Sequence, residues 1–337
     1  MKRSLMEFLC DPVDQSELEI RDEILYPDGT IKSGVLASKG GREYLITEGI
    51  PRFVSSLQIK GAVKSFGDEW NYFNYDLFKA NWLNHVVKNT FGGTSVFKGK
   101  IVVDCGAGSG MQSRWMAESG AERVIALELS HSVDGIMKTN LAGMNNVDVI
   151  QCSIDTPPIK TGSIPGIVIC HNVIQHTPSV ERTARALWGI VGKGGELVFN
   201  CYMKYPENLV WMARWVLVYR PLRAILSRCP FMVILLYAKI MAILRFIPVL
   251  EPLLEKSQFV VRGNVPPRPD LTLRQYRQAV LNTYDWYGSH AYQAQKTGKE
   301  LRNLVAKLQP DSRYIQNLEE HLKINFPPGL AIRITKS

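Results

Sequence analysis

The chain has 337 residues, of which 46% are hydrophobic and 21% charged, and its formal net charge is +9. This length and apolar content support a full core, in two domains or in one large domain with additions, and the charge favours an anionic partner without specifying a fold. The six cysteines are scattered and include no CxxC pair, which argues against a disulfide framework and fits a reducing cytosol.

Residues 1–57 form the first predicted unit. Asp-Gly, Gly-Gly and Gly-Ile-Pro turns separate β-type runs in "ILYPDGTIKSGVLASKGGREYLITEGIPRFV", which predicts a small unit of β-hairpins. The N-terminus "MKRSLMEFLCDP" lacks the apolar run of a signal peptide, so we expect a cytoplasmic location. Residues 60–90 then have a helical pattern.

Short apolar runs alternate with helical segments from residue 100 to 202. Helices are predicted within 110–119 and 179–191. The predicted strands are 101–105, 123–127, 147–151, 166–171 and 195–201, and "GLAIRITKS" at the end of the chain is a further strand. This alternation predicts an α/β fold with a doubly wound, mostly parallel sheet.

Residues 203–262 differ in composition from the segments on either side and are predicted to form a helical insertion. The segment is densely apolar, its charges from 208 to 250 are all basic, and Pro221, Pro230, Pro248 and Pro252 are predicted to divide it into short helices. Its best apolar window, 231–247, contains Lys239 and Arg245 and is shorter than the roughly 20 residues that a membrane span needs.

Two interpretations of the insertion remain open. The helices could cap the active site and build the acceptor pocket. Alternatively, residues 208–250 could lie in a membrane interface, with basic side chains facing the lipid headgroups. The side chains in question are Arg214, Arg220, Arg223 and Arg228.

The stretch "IVVDCGAGSG" carries the strongest functional signal. Gly106 permits a sharp reversal after a strand, and Gly108 and Gly110 let a ligand approach the backbone and the next helix N-terminus. Asp104 ends the strand before the turn, and the next strand, "VIALEL", ends in Glu128. An acid at that point can accept hydrogen bonds from both ribose hydroxyls of a dinucleotide or of S-adenosylmethionine.

Three motifs, "VVDCGAGSG", "VIALELS" and "KGGELVF", resemble class I S-adenosylmethionine-dependent methyltransferases of the type 11 group, which includes quinone-biosynthesis enzymes. Asp104 before the glycines distinguishes this pattern from the dinucleotide fingerprint. The resemblance covers 62–202 well and 270–337 loosely. It implies a Rossmann-like sheet of seven strands, a methyltransferase domain over 58–337 and S-adenosylmethionine as the cofactor.

The resemblance also implies roles for individual residues. Asp104 would lie near the methionine part of the cofactor, Glu128 would hold the ribose, and Leu129 would pack on the adenine. Gly106, Gly108 and Gly110 would line the methionine part and the ribose. Where the family often has an adenine-binding Asp, this chain has Ser153, so either Ser153 and Ile154 contact the adenine or the loop brings in Asp155.

The segment "CHNVIQHTPS" matches the part of the family that lines the junction of cofactor and acceptor. His171 and Asn172 would lie near the methionine end and His176 near the acceptor. A histidine there can deprotonate a hydroxyl or an amine, although a histidine fixed structurally at a helix start is the alternative.

Two further segments supply candidates for covering the site. In "SFGDEWNYF", Phe66, Trp70 and Tyr72 are candidates for an aromatic lid, with simple packing on the sheet as the alternative. The segment "NTYDWYGSHAYQAQK" would return over the acceptor, and a solvated aromatic loop is the other interpretation. Its candidate pocket residues are Asp285, Trp286, His290 and Tyr292.

The N-terminal unit resembles the zinc-ribbon module related to Trm112, chiefly through "YLITEGIPRF". A zinc site needs four soft ligands, and only Cys10 remains of them. Asp14, Ala37 and Lys39 occupy the neighbourhood of the others, so we expect no metal. Substrate gating, a dimer contact and stabilisation all remain open as roles for this unit.

The function predicted from these residues is methyl transfer from S-adenosylmethionine to a small-molecule or lipid-linked acceptor. An RNA methyltransferase and a non-catalytic binding scaffold are the alternatives. Nucleic acid is the less favoured partner, because part of the positive charge lies among apolar helices and not along a polar groove.

Overall fold

The structure is a computed structural model that describes residues 1–54, 62–257, 259–261, 272–288, 292–315 and 330–337. Within these residues, the strands join into a single sheet of eleven. They are β1 (Leu18–Leu25), β2 (Ile31–Ser38), β3 (Glu43–Thr47), β4 (Ile50–Arg52), β5 (Ile101–Cys105), β6 (Arg123–Glu128), β7 (Val147–Gln151), β8 (Ile167–Cys170), β9 (Glu196–Cys201), β10 (Ser312–Ile315) and β11 (Leu330–Thr335). Their order across the sheet is β1-β2-β3-β4-β7-β6-β5-β8-β9-β11-β10.

The centre of the sheet is parallel, from β7 through β6, β5 and β8 to β9. These strands are almost wholly buried, as expected of a sheet covered on both faces. The predicted strands between residues 100 and 202 match them within about two residues, and β11 confirms the last one as an antiparallel neighbour of β9. The α/β fold class is therefore confirmed.

Helices connect the strands and cover both faces. They are α1 (Ala62–Tyr72), α2 (Lys79–Asn81), α3 (Lys88–Phe91), α4 (Met111–Glu118), α5 (Ile136–Asn140), α6 (Val180–Ile190), α7 (Leu209–Arg214), α8 (Arg220–Leu226), α9 (Phe231–Leu244), α10 (Glu251–Lys256), α11 (Leu273–Tyr287) and α12 (Gly298–Leu308). Ser179 caps α6 by accepting from the N–H of Arg182, and the buried face of α6 carries Val180, Ala184 and Leu187. Both predicted helices of this region are present.

Pro221 does not divide the insertion, contrary to the sequence-based expectation. A wide π-helical turn at Trp215–Tyr219 joins α7 to α8, and Pro221 is the second residue of α8. Pro221 thus lies inside one continuous helical run from Leu209 to Leu226, and the wide turn directly before it accommodates the missing N–H and the ring of the proline, so the helix is not interrupted. Pro230, by contrast, stands directly before α9 as expected.

The four N-terminal strands extend the central sheet. β4 pairs with β7 in parallel at Arg52 and Gln151, and an isolated bridge joins Leu9 to Ile159. Next to Cys10 in the chain, the Arg42 guanidinium donates to Asp11, and it also donates to Asp14. Within the described residues, no group of three or more His, Cys, Asp or Glu side chains is placed to hold a metal ion.

The helical insertion packs against the body through one face of α9. Ile234, Leu235, Ala238 and Ala242 are buried against Ala279, Val280 and Tyr284 of α11. In the part of the chain that the structure covers, no helix combines the length and the apolar character that crossing a membrane requires.

Candidate active site

The turn after β5 lies at the carboxyl end of the sheet and carries three glycines in left-handed backbone. Gly106, Gly108 and Gly110 have φ values of 81°, 57° and 79°, the left-handed region that favours glycine. A Cβ atom at Gly108 would lie 2.8 Å from the Trp70 ring, and one at Gly106 would lie 2.5 Å from Val173. Both conformation and space therefore demand glycine at these two positions.

Glu128 ends β6 and reaches under this turn. Its Oε2 accepts the N–H of Gly108 at 2.7 Å and its Oε1 accepts the N–H of Ser130 at 2.8 Å. A carboxylate has about four acceptor positions, so each oxygen can take one further donor. The residue is 6% exposed, and its geometry suits the two adjacent hydroxyls of a ribose.

The backbone of the turn is held from the other side by polar side chains. Ser132 Oγ donates to the carbonyl of Gly108 at 2.7 Å, and Asn140 Nδ2 donates to the carbonyl of Ser109 at 2.8 Å. These bonds fix the orientation of the peptide groups before any ligand arrives, which lowers the ordering cost of binding.

Asp104 lies one residue before the end of β5 and is 2% exposed. Burial raises its pKa to about 6, although the Ser113 hydroxyl, 2.6 Å from Oδ2, acts in the opposite direction. A buried carboxylate that is costly to ionise is stabilised by a nearby positive group such as an ammonium or a sulfonium.

The turn after β8 brings two of the predicted residues to the same edge. Asn172 has a φ of 59° and exchanges two 2.6 Å hydrogen bonds with the Asn200 side chain. The His171 ring lies 3.2 Å from the Gln112 amide, and loss of hydration lowers its pKa to about 4. His171 is therefore neutral at pH 7 and does not repel a cationic ligand.

Helix α1 lies over the glycine turn. Trp70 contacts Gly108, and Asn71 Oδ1 accepts the N–H of Ile136 at 2.9 Å. Asp68 approaches His131 at 3.5 Å. Helix α1 is therefore attached to the turn and its surroundings by both polar and aromatic contacts, and it covers the turn from one side. Tyr72 points elsewhere, since its ring packs against Phe231.

His176 lies beyond the turn, in an aromatic setting. Its ring is 5.2 Å from Phe66 and 5.6 Å from Tyr202, both edge-on. Nδ1 lies 3.0 Å from the carbonyl oxygen of Tyr292, which can only accept, so Nδ1 carries the proton and Nε2 is the basic nitrogen. His290 lies outside the described residues.

Asp285 lies in a buried acidic and aromatic cluster that also contains Glu69. The Tyr202 hydroxyl donates to Asp285 at 3.2 Å, and the Tyr75 hydroxyl donates to Glu69 at 2.7 Å. Burial and the negative charge of Asp285 both raise the pKa of Glu69. The Trp286 ring lies 5.2 Å from that of Tyr202. The cluster therefore forms an aromatic wall that carries two acidic groups, and it lies at the end of β9.

Ser153 and Asp155, the two alternatives of the sequence analysis, lie in contact with each other after β7. The Ser153 hydroxyl donates to Asp155, and Arg182 also pairs with that carboxylate. Asp155 is thereby held in place by two partners. Ile154 is buried and Leu129 is half-buried.

Sequence reasoning missed Glu69, Tyr202 and Asn200. Glu69 stands within "SFGDEWNYF" next to Asp68, where two adjacent acids are typical of a solvated helix face, and only the structure shows that Glu69 is buried. Tyr202 and Asn200 at the end of β9 carry a positional signal, because polar residues at the carboxyl end of a parallel strand face the ligand edge.

Together, a parallel sheet, a left-handed glycine turn and an acid at the end of the next strand define a Rossmann-like domain for an adenosine-containing ligand. Residues 103–199 match the family model described as a methyltransferase domain. The prediction of a methyltransferase domain is confirmed for that segment. The prediction of S-adenosylmethionine, the cofactor of this class, is confirmed with it.

Two curated relatives show how far this likeness extends. The chain is 28% identical over 114 residues to the ubiquinone biosynthesis O-methyltransferase of Nitrosospira multiformis, covering 34% of this chain and 47% of that protein. It is 41% identical over 70 residues to protein arginine N-methyltransferase 1 of Oryza sativa subsp. indica, covering 20% and 16%. The chain thus spans about half or less of the length of these relatives.

Solved structures add little beyond this. An S-adenosylmethionine-dependent methyltransferase from Methanosarcina mazei aligns with 71% of this chain and 93% of its own at 12% identity. The TM-score of 0.41 is too low to carry a structural argument.

Proposed function

We propose that this protein transfers a methyl group from S-adenosylmethionine to a small-molecule or lipid-linked acceptor. The observation that carries the proposal is the left-handed glycine turn at 106–110 between two buried carboxylates, Asp104 and Glu128, within the segment that matches a methyltransferase domain. The residues present fit the cofactor, since they offer acceptors for ribose hydroxyls, glycine backbone without side chains and an acid that a cation would stabilise.

In this proposal each residue of the turn has a separate task. Glu128 accepts the ribose hydroxyls, while Gly106, Gly108 and Gly110 let the ligand rest on backbone. Asp104, His171 and Asn172 lie on the methionine side, and Trp70 closes over it from α1. Leu129, Ser153 and Ile154 border the adenine. S-adenosylmethionine, when bound, supplies an electrophilic methyl group.

The acceptor would enter beside His176, Asp285 and Tyr292. His176 Nε2 takes the proton that an acceptor hydroxyl or amine loses as its bond to the methyl carbon forms, and the Tyr292 carbonyl keeps the ring in the required tautomer. The rings of Phe66, Tyr202 and Trp286 exclude water and align the acceptor. The two relatives methylate different atoms by name, so both oxygen and nitrogen acceptors belong in the test.

The experiment joins a binding measurement to an acceptor search. Calorimetry with S-adenosylmethionine should show one site, and methyl-labelled cofactor incubated with metabolite, lipid and RNA fractions should label one of the first two. Label in RNA alone would replace the proposed acceptor class with nucleic acid. Binding without any turnover would support the scaffold function, and the absence of binding would contradict the proposal.

A further inference from the structure

The helical insertion exposes an unusual concentration of apolar side chains. Of the twenty-one large apolar residues exposed in the described part of the chain, fourteen lie between residues 209 and 253. A stable monomer seldom exposes a contiguous apolar patch of this kind without a partner for it. We call residues 208–250 the apolar platform.

Helix α9 shows that this exposure is organised. Ile234, Leu235, Ala238 and Ala242 face α11 and are buried, as described above. Met232, Leu236, Ile240 and Ile243 follow each other at intervals of four, four and three residues and are exposed, so they form a stripe on the opposite side. Helix α9 is therefore apolar on both sides. One side packs against the protein core, and the other is available for contact with a second apolar environment.

The charges of the platform indicate what that second apolar environment is. From residue 208 to 250 the chain contains six basic residues and no Asp or Glu. Arg220 and Arg228 are exposed and Arg214 is half-buried, so the platform carries positive charge at its surface. An apolar surface that also carries arginines complements an anionic bilayer, whose headgroups are negative and whose interior is hydrocarbon.

A second copy of this chain fits the platform less well. A symmetric contact would bring two all-basic surfaces together, and like charges brought together at an interface cost several kcal/mol. We propose that the apolar platform is a membrane-interface surface that seats α9 in the headgroup region of a bilayer containing anionic lipid.

Vesicle co-sedimentation tests this with the full chain. The probes are vesicles of phosphatidylcholine alone and of phosphatidylcholine with about 30% phosphatidylglycerol, at about 0.1 M salt. Leu236→Glu removes one apolar residue from the stripe, and Leu45→Glu is its matched control, since the two leucines are 58% and 60% exposed. We expect the protein to bind the anionic vesicles, Leu236→Glu to bind at least about tenfold more weakly, and Leu45→Glu to bind as the parent does.

The charge is tested in the same way. Arg220→Glu with Arg228→Glu should lower partitioning by about tenfold or more, while Arg185→Glu, an exposed arginine on α6, should change it little. Circular dichroism melts establish that each variant is folded. Failure of the parent to bind anionic vesicles, or equal binding by Leu236→Glu and Leu45→Glu, overturns the proposal. A dimer in analytical ultracentrifugation that Leu236→Glu dissociates also overturns it, in favour of self-association.

Discussion

Glu128 accepts the N–H of Gly108 across the gap between two neighbouring strands, at 2.7 Å. The same carboxylate therefore shapes the glycine turn and offers its remaining acceptor positions to a ligand. Loss of Glu128 has two separable effects, one on the turn and one on the ligand.

We expect Glu128→Ala to weaken S-adenosylmethionine binding by at least about tenfold, because two charge-assisted hydrogen bonds are lost. Calorimetry gives the dissociation constant, and a urea denaturation series gives the cost to folding. Glu118→Ala, a half-exposed acid of α4 that pairs with Lys79 and Arg114, is the control and should bind as the parent does. Equal affinity for both variants would remove Glu128 from the ribose site.

Gly108 and Gly99 form a matched pair for testing the turn. Both have left-handed φ values, 57° and 67°, but a Cβ at Gly108 meets Trp70 whereas one at Gly99 meets nothing within 4 Å. We expect Gly99→Ala to cost about 1 kcal/mol of unfolding free energy and to leave binding unchanged. Gly108→Ala should cost more and lose affinity, and Gly108→Arg should abolish binding. If Gly108→Ala behaves like Gly99→Ala in both measurements, the turn does not hold the cofactor.

Asp104→Asn should stabilise the protein at neutral pH while impairing its ligand site. The folded-state pKa of about 6 is higher than the ordinary value, so the folded protein binds more protons than the unfolded chain between about pH 4 and 6. The contribution of Asp104 to stability therefore falls as pH rises through that window.

Asp104→Asn removes this destabilisation. Its gain in unfolding free energy over the parent should therefore grow from nearly zero at pH 4 to at most about 3 kcal/mol at pH 7. Denaturation in urea at several pH values measures it, with the exposed Asp22→Asn as a control that should change little. An Asp104→Asn profile parallel to that of the parent would show that the carboxylate carries no burial cost.

His176→Gln separates catalysis from cofactor binding. The ring contacts Phe66, Tyr202 and the Tyr292 carbonyl, none of which belongs to the glycine turn. We expect kcat with the identified acceptor to fall by about 100-fold or more, while the dissociation constant of S-adenosylmethionine stays within about twofold. An unchanged kcat would assign His176 to structure alone.

The sequence predicts the parts of this protein that depend on local pattern. Apolar runs such as 101–105 and 166–171 locate the parallel strands, since a strand covered on both faces reads as continuous hydrophobicity. The turn at 106–110 is predictable because left-handed backbone demands glycine. The place of Asp104 and Glu128 follows from strand ends alone.

Contacts between residues far apart in the sequence cannot be predicted from local pattern. The pairing of Tyr202 with Asp285 joins residues 83 positions apart, and no pattern around either residue predicts the other. Pro221 shows the same limit at short range, because the wide turn that accommodates it depends on the packing of Trp215 and Tyr219. The pairing of β4 with β7 is likewise not predictable from local pattern, because it consists of a single residue pair, Arg52 with Gln151.

Arg52, on that same short strand β4, donates to Asp134 at 2.7 Å and to Gln151 at 2.6 Å. Asp134 belongs to the one helical turn, His131–Asp134, whose Ser132 also supports Gly108. The N-terminal hairpins and the glycine turn thus share a common anchor. A ligand that stiffens Gly108 would slow amide hydrogen exchange in the hairpins as well, and loosening Arg52 would disturb a pocket that it never touches.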